Sequence, residues 1–213
     1  MASLSGKIGL DSIARKEPDW EKRVKEDQLS PAECDQLLKL ARQTLEIVLA
    51  GTPLPELILE DYPEKLRLPG ATFVTLTKSG QLRGCIGTLE AFRPLVEDTR
   101  QHAIAAGTQD YRFPPVQADE LPAIAIEISR LTSPVSLEYA SPDDLLARLR
   151  PGVDGVLLRD GSRRATFLPQ VWGKIPSPVE FLNQLCLKMG NLPDAWRERN
   201  LIIEIYQVEE FHE

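Results

Sequence analysis

The feature that most constrains this chain is an apolar run, Ala71-Thr72-Phe73-Val74-Thr75-Leu76-Thr77, which reverses through Lys78-Ser79-Gly80 into Leu82-Arg83-Gly84-Cys85-Ile86-Gly87-Thr88. β-Branched and aromatic residues ahead of a short polar turn with glycine predict a β-hairpin. Its second strand is unusual. A strand that only fills a core gains nothing from two glycines, since each gives up packing and adds unfolded-state entropy. Gly84 and Gly87 therefore predict a bulge, or backbone approached closely by another group.

In a regular pleat Leu82 and Ile86 share one face, and Arg83 and Cys85 the other. A guanidinium beside a thiol favours the thiolate, the form that attacks electrophiles or binds metal. The N–H groups beside Gly84 and Gly87 can receive a carboxylate, phosphate or oxyanion. The plainer alternative makes Cys85 a small buried hydrophobe.

Order begins at Ser30-Pro31-Ala32-Glu33, a serine cap, a proline and a reaching glutamate, which opens a helix that Gly51 and Pro53 close. The preceding 28 residues are polar and read as a mobile or loosely docked arm, with Trp20 as a possible clip. Residues 52–69 read as an extended connection with a short strand at Leu57-Ile58-Leu59. After the hairpin, Phe92-Arg93-Pro94 leads into a helix to about Ala106, with His102 on its apolar face. There His102 is either a general base for Cys85 or a satisfied, partly buried imidazole.

The rigid loop Asp110-Tyr111-Arg112-Phe113-Pro114-Pro115 carries two further candidates. Asp110 and Arg112 either pair with one another, or Arg112 presents its donor fork to an anionic ligand. Ala123 to Ser129 alternates as a strand, on which Glu127 either faces Cys85 and Arg83 as proton acceptor or counter-ion, or points into water. Ser141-Pro142 opens a short helix, Asp160-Gly161-Ser162 turns a second hairpin, and Ser177-Pro178 opens a third helix. Gln170 in Leu168-Pro169-Gln170-Val171 is a candidate hydrogen-bonding residue. Leu201 to Val208 has apolar residues on both faces and reads as a central strand. Hairpins and helices alternate without a repeated βαβ unit, so the expected class is α+β, a largely antiparallel sheet flanked by helices.

Charge excludes some functions. A net charge of -7 and a pI near 5.1 argue against a nucleic-acid surface, which needs clustered Lys and Arg. No apolar stretch is long enough to span a bilayer and the start lacks a signal peptide's apolar middle, so a cytoplasmic protein is expected. Cys34, Cys85 and Cys186 lie far apart without a CxxC pair, so neither a disulfide framework nor a zinc site is indicated. Cys85, His102 and Glu127 offer mixed metal ligands but no ligand spacing, and Gly84 and Gly87 make no phosphate loop, so no metal or nucleotide cofactor is expected.

The run LRGCIG at Leu82–Gly87 resembles the signature of the AMMECR family, whose bacterial members are called AmmeMemoRadiSam system protein A. The likeness extends to Gly70–Leu76, Asp110–Val116, Glu127-Ile128-Ser129, Gly152–Val156, Leu168–Val171 and Phe181–Cys186, covering roughly residues 30 to 213. It implies one domain over 29–213 with a larger and a smaller lobe, the signature beside the groove between them. It also implies a pathway shared with Memo-type and radical-SAM proteins. The candidate site is then Cys85 with Glu127 or His102 moving protons, and Arg83, Gly84, Gly87, Asp110, Arg112 and Gln170 around a small anionic ligand. A thiol-dependent enzyme and a non-catalytic ligand- or protein-binding component both fit these residues.

Overall fold

A helix stands where the polar composition predicts part of a loose arm. The computed structural model describes residues 19–198 and 201–213, so most of that arm, residues 1–18, lies outside the described residues. Helix α1 (Asp19–Asp27) buries Val24 and packs Trp20 against a hydrophobic cluster. Arg150 covers the Trp20 ring at 4.5 Å and meets Glu21 at 3.3 Å. Asp27 Oδ2 accepts from Arg130 at 2.9 Å and from the Ser133 N–H at 2.8 Å. Two apolar residues and these ion pairs offset the ordering entropy that a polar average conceals.

Helix α2 (Pro31–Leu49) opens with the reciprocal Ser30–Glu33 cap that its sequence predicts, answering two N–H groups left unpaired at a helix start. In the connection, the expected strand at Leu57–Leu59 is replaced by a tight turn of helix at Leu59–Asp61, before the short α3 (Glu64–Arg67). Strands β1 (Pro69–Lys78) and β2 (Gln81–Gly87) then form the hairpin. Ser79 and Gly80 both take left-handed φ, 52° and 74°, which suits the twist of a two-residue hairpin loop. β3 (Arg93–Pro94) leads directly into α4 (Leu95–Thr108). β4 (Ile124–Leu131) follows, and its continuation β5 (Val135–Ser136) belongs to another sheet.

After α5 (Pro142–Arg148), the second hairpin is β6 (Gly155–Asp160) and β7 (Arg163–Phe167). Helices α6 (Pro178–Lys188) and α7 (Ala195–Glu198) precede β8 (Ile202–Tyr206) and β9 (Val208–His212). Among the described residues the strands make two antiparallel sheets. The first has the order β2-β1-β4-β9, with β3 against β1; the second has the order β5-β8-β6-β7. The fold is therefore α+β, antiparallel and helix-flanked. The expected single last strand is divided. β8 lies inside the second sheet, and β9 edges the first; Ile203 and Ile205 are buried while Ile202 is exposed. The chain changes sheets at Gln207, beside the point where β4 passes into β5. Thr132 N–H donates to Gln207 O at 2.9 Å, and Gln207 N–H to Thr132 Oγ1 at 2.8 Å.

One face of the first sheet, through Val74, Leu76, Ile126 and Ile128, is covered by α2 and α4. One face of the second, through Val156, Leu158, Ile203 and Ile205, packs with Leu145 of α5 and Phe181, Leu182 and Leu185 of α6. The faces turned away from these helices meet at Ala71, Leu131 and Tyr206, with Phe73, Leu168 and Val208 packed alongside.

Candidate functional site

The site begins with a broken alternation. β1 and β2 pair Thr77 with Leu82, then Leu76 with Gly84, so Arg83 is an extra residue and the register shifts there. The bulge corrects the regular pleat. Leu82 stands on the Cys85 face, exposed, and Ile86 alone joins the helix-covered core. Arg83 does not sit against the thiol. Its guanidinium holds Glu120, from Nη2 to Oε1 at 2.8 Å and from Nε to Oε2 at 3.2 Å, and Nη1 donates to Pro114 O at 2.8 Å. Arg83 foremost, then Lys78 and the Gln117 N–H, hold the Glu120 carboxyl well below the usual carboxylate range.

The two glycines answer to packing. A Cβ on Gly84 would lie 2.1 Å from Ala106 O, where α4 crosses β2. A Cβ on Gly87 would lie 2.4 Å from the Phe73 ring, which covers it from the adjacent strand. The N–H groups beside them are occupied: Cys85 N–H donates to Asp110 Oδ2 at 2.8 Å, and Thr88 N–H to Thr72 O at 3.0 Å. The anion that the Gly84-Cys85 backbone receives is thus the protein's own carboxylate.

Asp110 and Arg112 grip Cys85 from the open edge of the sheet. Arg112 Nη2 donates to Cys85 O at 3.1 Å and to Asp110 Oδ2 at 2.6 Å, while Nε donates to Asp110 Oδ1 at 2.9 Å. Both backbone groups of Cys85 are satisfied as a further strand would satisfy them, which closes an edge otherwise free to pair. The Arg112 guanidinium first, and then the Cys85 N–H, hold the buried Asp110 carboxyl well below its ordinary range, against the opposite effect of burial. The same carboxylate raises Arg112 further.

With its backbone fixed, Cys85 presents its side chain on a row that crosses the sheet. Cys85 is opposite Thr75, Thr75 opposite Glu127, and Glu127 opposite His212. Residues directly opposite in antiparallel strands project to the same face. Thr75 Oγ1 donates to Cys85 Sγ at 3.3 Å. Cys85, Thr75 and Glu127 are half-buried and His212 is exposed, so the row borders solvent. The next row is Gly87, Phe73, Ser129 and Glu210, and Gln170 Nε2 reaches it by donating to Glu210 Oε1 at 3.3 Å.

The sequence as a whole matches the AMMECR1 family model over residues 38–211. The chain belongs to the AMMECR1 family. It is 41% identical over 191 residues to a protein of Methanothermobacter thermautotrophicus, covering 87% of this chain and 96% of that one. It is 36% identical to Protein MJ0810 of Methanocaldococcus jannaschii, covering 83% and 88%. Uncharacterized Protein PH0010 from Pyrococcus horikoshii has a similar crystal structure, with a TM-score of 0.64 at 32% identity, covering 87% of this chain and 93% of that one.

In this AMMECR1-family chain, the predicted residues divide between the two sides of one sheet. Cys85, Glu127, Asp110 and Arg112 gather around the open face and its edge, with Gln170 one row away. His102 lies on the helix side. Its Nδ1 is 3.1 Å from Asp98 Oδ2 and 3.4 Å from Thr72 Oγ1, so the structure does not bring it to Cys85. Asp98, fully buried, also accepts from the Thr72 N–H and hydroxyl, both at 2.8 Å, which makes His102 part of a structural network. The sequence does not single out Thr75, Glu120 or His212 as site residues. A regular register from the two-residue turn sets Gly84 opposite Thr75, and the bulge alone brings Cys85 there. Among the described residues no group of three His, Cys, Asp or Glu is placed to hold a metal ion.

Proposed function

We propose that this AMMECR1-family protein is a thiol-dependent enzyme acting on a small molecule laid across the open face of the first sheet. The supporting observation is the row Cys85, Thr75, Glu127, His212. Neighbouring strands are about 4.8 Å apart, so Glu127 stands roughly 10 Å from Cys85 along the sheet. That is too far for direct proton transfer and suits groups that meet different parts of one substrate. The Cys85 thiol gives its proton to solvent and its sulfur adds to a carbonyl carbon, whose C=O π pair moves onto the oxygen and is protonated there; the Thr75 hydroxyl donates to the sulfur, and Glu127 or His212 exchanges a proton with the substrate's far end. The half-exposed Arg112 guanidinium is the group available to an anionic substituent. The enzyme works in the cytoplasm, in the pathway with Memo-type and radical-SAM proteins that the family resemblance implies. Among the described residues, no helix is long and apolar enough to cross a membrane.

A second reading, a non-catalytic ligand- or protein-binding component of the same system, is favoured by one observation. Asp110 and Arg112 hold backbone, and His102 lies on the other face, so the groups that most resemble a thiol's partners are engaged elsewhere. Covalent labelling with a panel of small electrophilic fragments, followed by intact mass, separates the two. The enzyme reading predicts a fragment that labels Cys85 with saturable kinetics, slowed at least threefold by Glu127→Gln or His212→Asn. Labelling that rises linearly with concentration and is indifferent to both substitutions favours the binding component.

A further inference from the structure

A second candidate site lies between the two sheets, in a cavity of about 490 Å³ that Cys85 does not line. Its size falls within the ~300–1,000 Å³ of ordinary small-molecule sites. One wall is the face of the second sheet turned away from its helices. There Arg159 stands directly opposite Arg164, and Leu157 opposite Thr166. Like charges in directly opposed positions destabilise a strand pair. Among the described residues their counter-ions come singly, Glu204 at 2.5 Å from Arg159, and Glu90 beside Arg164. A guanidinium carries five donors, more than one carboxylate accepts, and both side chains stay accessible, 39% and 50% exposed. Lys188, at the end of α6, adds a third cation to the lining, where its Nζ donates to Thr166 O at 2.9 Å and lies 5.0 Å from the centre of the Phe167 ring, an ammonium with more donors than that one acceptor takes. Arg130 also lines the cavity, but its guanidinium is held by Asp27 and Glu209.

This concentration of positive charge runs against the whole chain, whose net charge is -7. Glu90 is the acidic residue in the lining among the described residues. A concave lining in which cations outnumber carboxylates, set between low-dielectric walls, focuses the field on an oppositely charged ligand. The remaining wall is apolar through Leu131 and Phe92, and the Phe92 ring is 71% exposed at the rim. We propose that this cavity binds a small amphipathic anion, a phosphate or carboxylate carried on an aromatic or apolar body. The anionic group lies against Arg159, Arg164 and Lys188, and the body lies against Leu131, Leu157 and Phe92. This site stands on its own and does not depend on the chemistry proposed for Cys85.

Calorimetric titration with phenyl phosphate and benzoate, against inorganic phosphate and benzyl alcohol, tests both halves of the assignment. The expected result is saturable binding of phenyl phosphate or benzoate, the tighter of the two identifying the headgroup, with inorganic phosphate and benzyl alcohol each at least tenfold weaker. Arg159→Gln and Arg164→Gln should each weaken that binding at least tenfold, and added salt should weaken it further. Lys188→Gln, at an exposed helix end, provides the same comparison if an arginine variant fails to fold. Absence of saturable binding of both aromatic anions up to about 10 mM would overturn the proposal, as would affinity unchanged in every folded variant.

Discussion

At the scale of single residues, glycine and carboxylate carry the hairpin. Gly84 is a contact residue: Gly84→Ala places a methyl group against Ala106 O and should cost about 3 kcal/mol in urea unfolding. Asp98→Ala leaves the buried Thr72 N–H and hydroxyl without their acceptor and should cost about 3 kcal/mol, whether or not His102 is retained. Asp110 has a folded pKa depressed below its unfolded value. Its stabilising contribution is therefore complete above the unfolded value of about 4 and is lost as pH falls below it. Asp110→Asn should lower the melting temperature at pH 7 and narrow its difference from the natural protein as the pH is taken from 4 to 2. A difference that stays constant across that range would contradict the assigned ion pair. The sequence made Cys85, Asp110 and Arg112 visible as candidates. It did not show that Asp110 and Arg112 hold the Cys85 backbone, because that contact joins residues 25 and 27 apart and depends on a bulge.

At the scale of elements, helix starts were legible because their chemistry is local. Ser30, Ser141 and Ser177 each accept from an N–H three residues on, and each precedes a proline. The hairpin turns were legible for the same reason. Elements held by distant partners were not. α1 depends on Arg130 and Arg150, and the division of the last strand into β8 and β9 depends on Thr132. Apolar residues on both sides of that segment signal a strand that serves two sheets in succession, a pattern that resembles a doubly covered strand when read alone. Thr132→Val leaves the Gln207 N–H without its acceptor and should cost about 1–3 kcal/mol. Hydrogen exchange at Gln207 should accelerate in that variant, and unchanged protection would contradict the role given to the hydroxyl.

At the scale of the molecule, two helix-covered sheets turn their uncovered faces toward each other, and the chain passes between them twice at adjoining points. The α+β class was legible from the order of hairpins and helices. The pairing of strands distant in sequence was not, and that pairing places Glu127 and His212 on the Cys85 row. The chemistry proposed for this face needs Cys85 to be an accessible, reactive thiol held by a rigid backbone. Its two companions provide an internal standard. Cys186 is buried, which pushes its thiol up, and Cys34 is pushed up by burial first and then by Glu209. The most direct measurement is the rate of alkylation at each cysteine in the native protein across pH, resolved by peptide mass spectrometry. Cys85 should react at least tenfold faster than Cys34 and Cys186 near neutral pH, and Thr75→Val or Arg112→Gln should reduce this advantage. Slow labelling at all three, with Cys85 no faster than the buried Cys186, would contradict it and leave Cys85 as a packing residue of the hairpin.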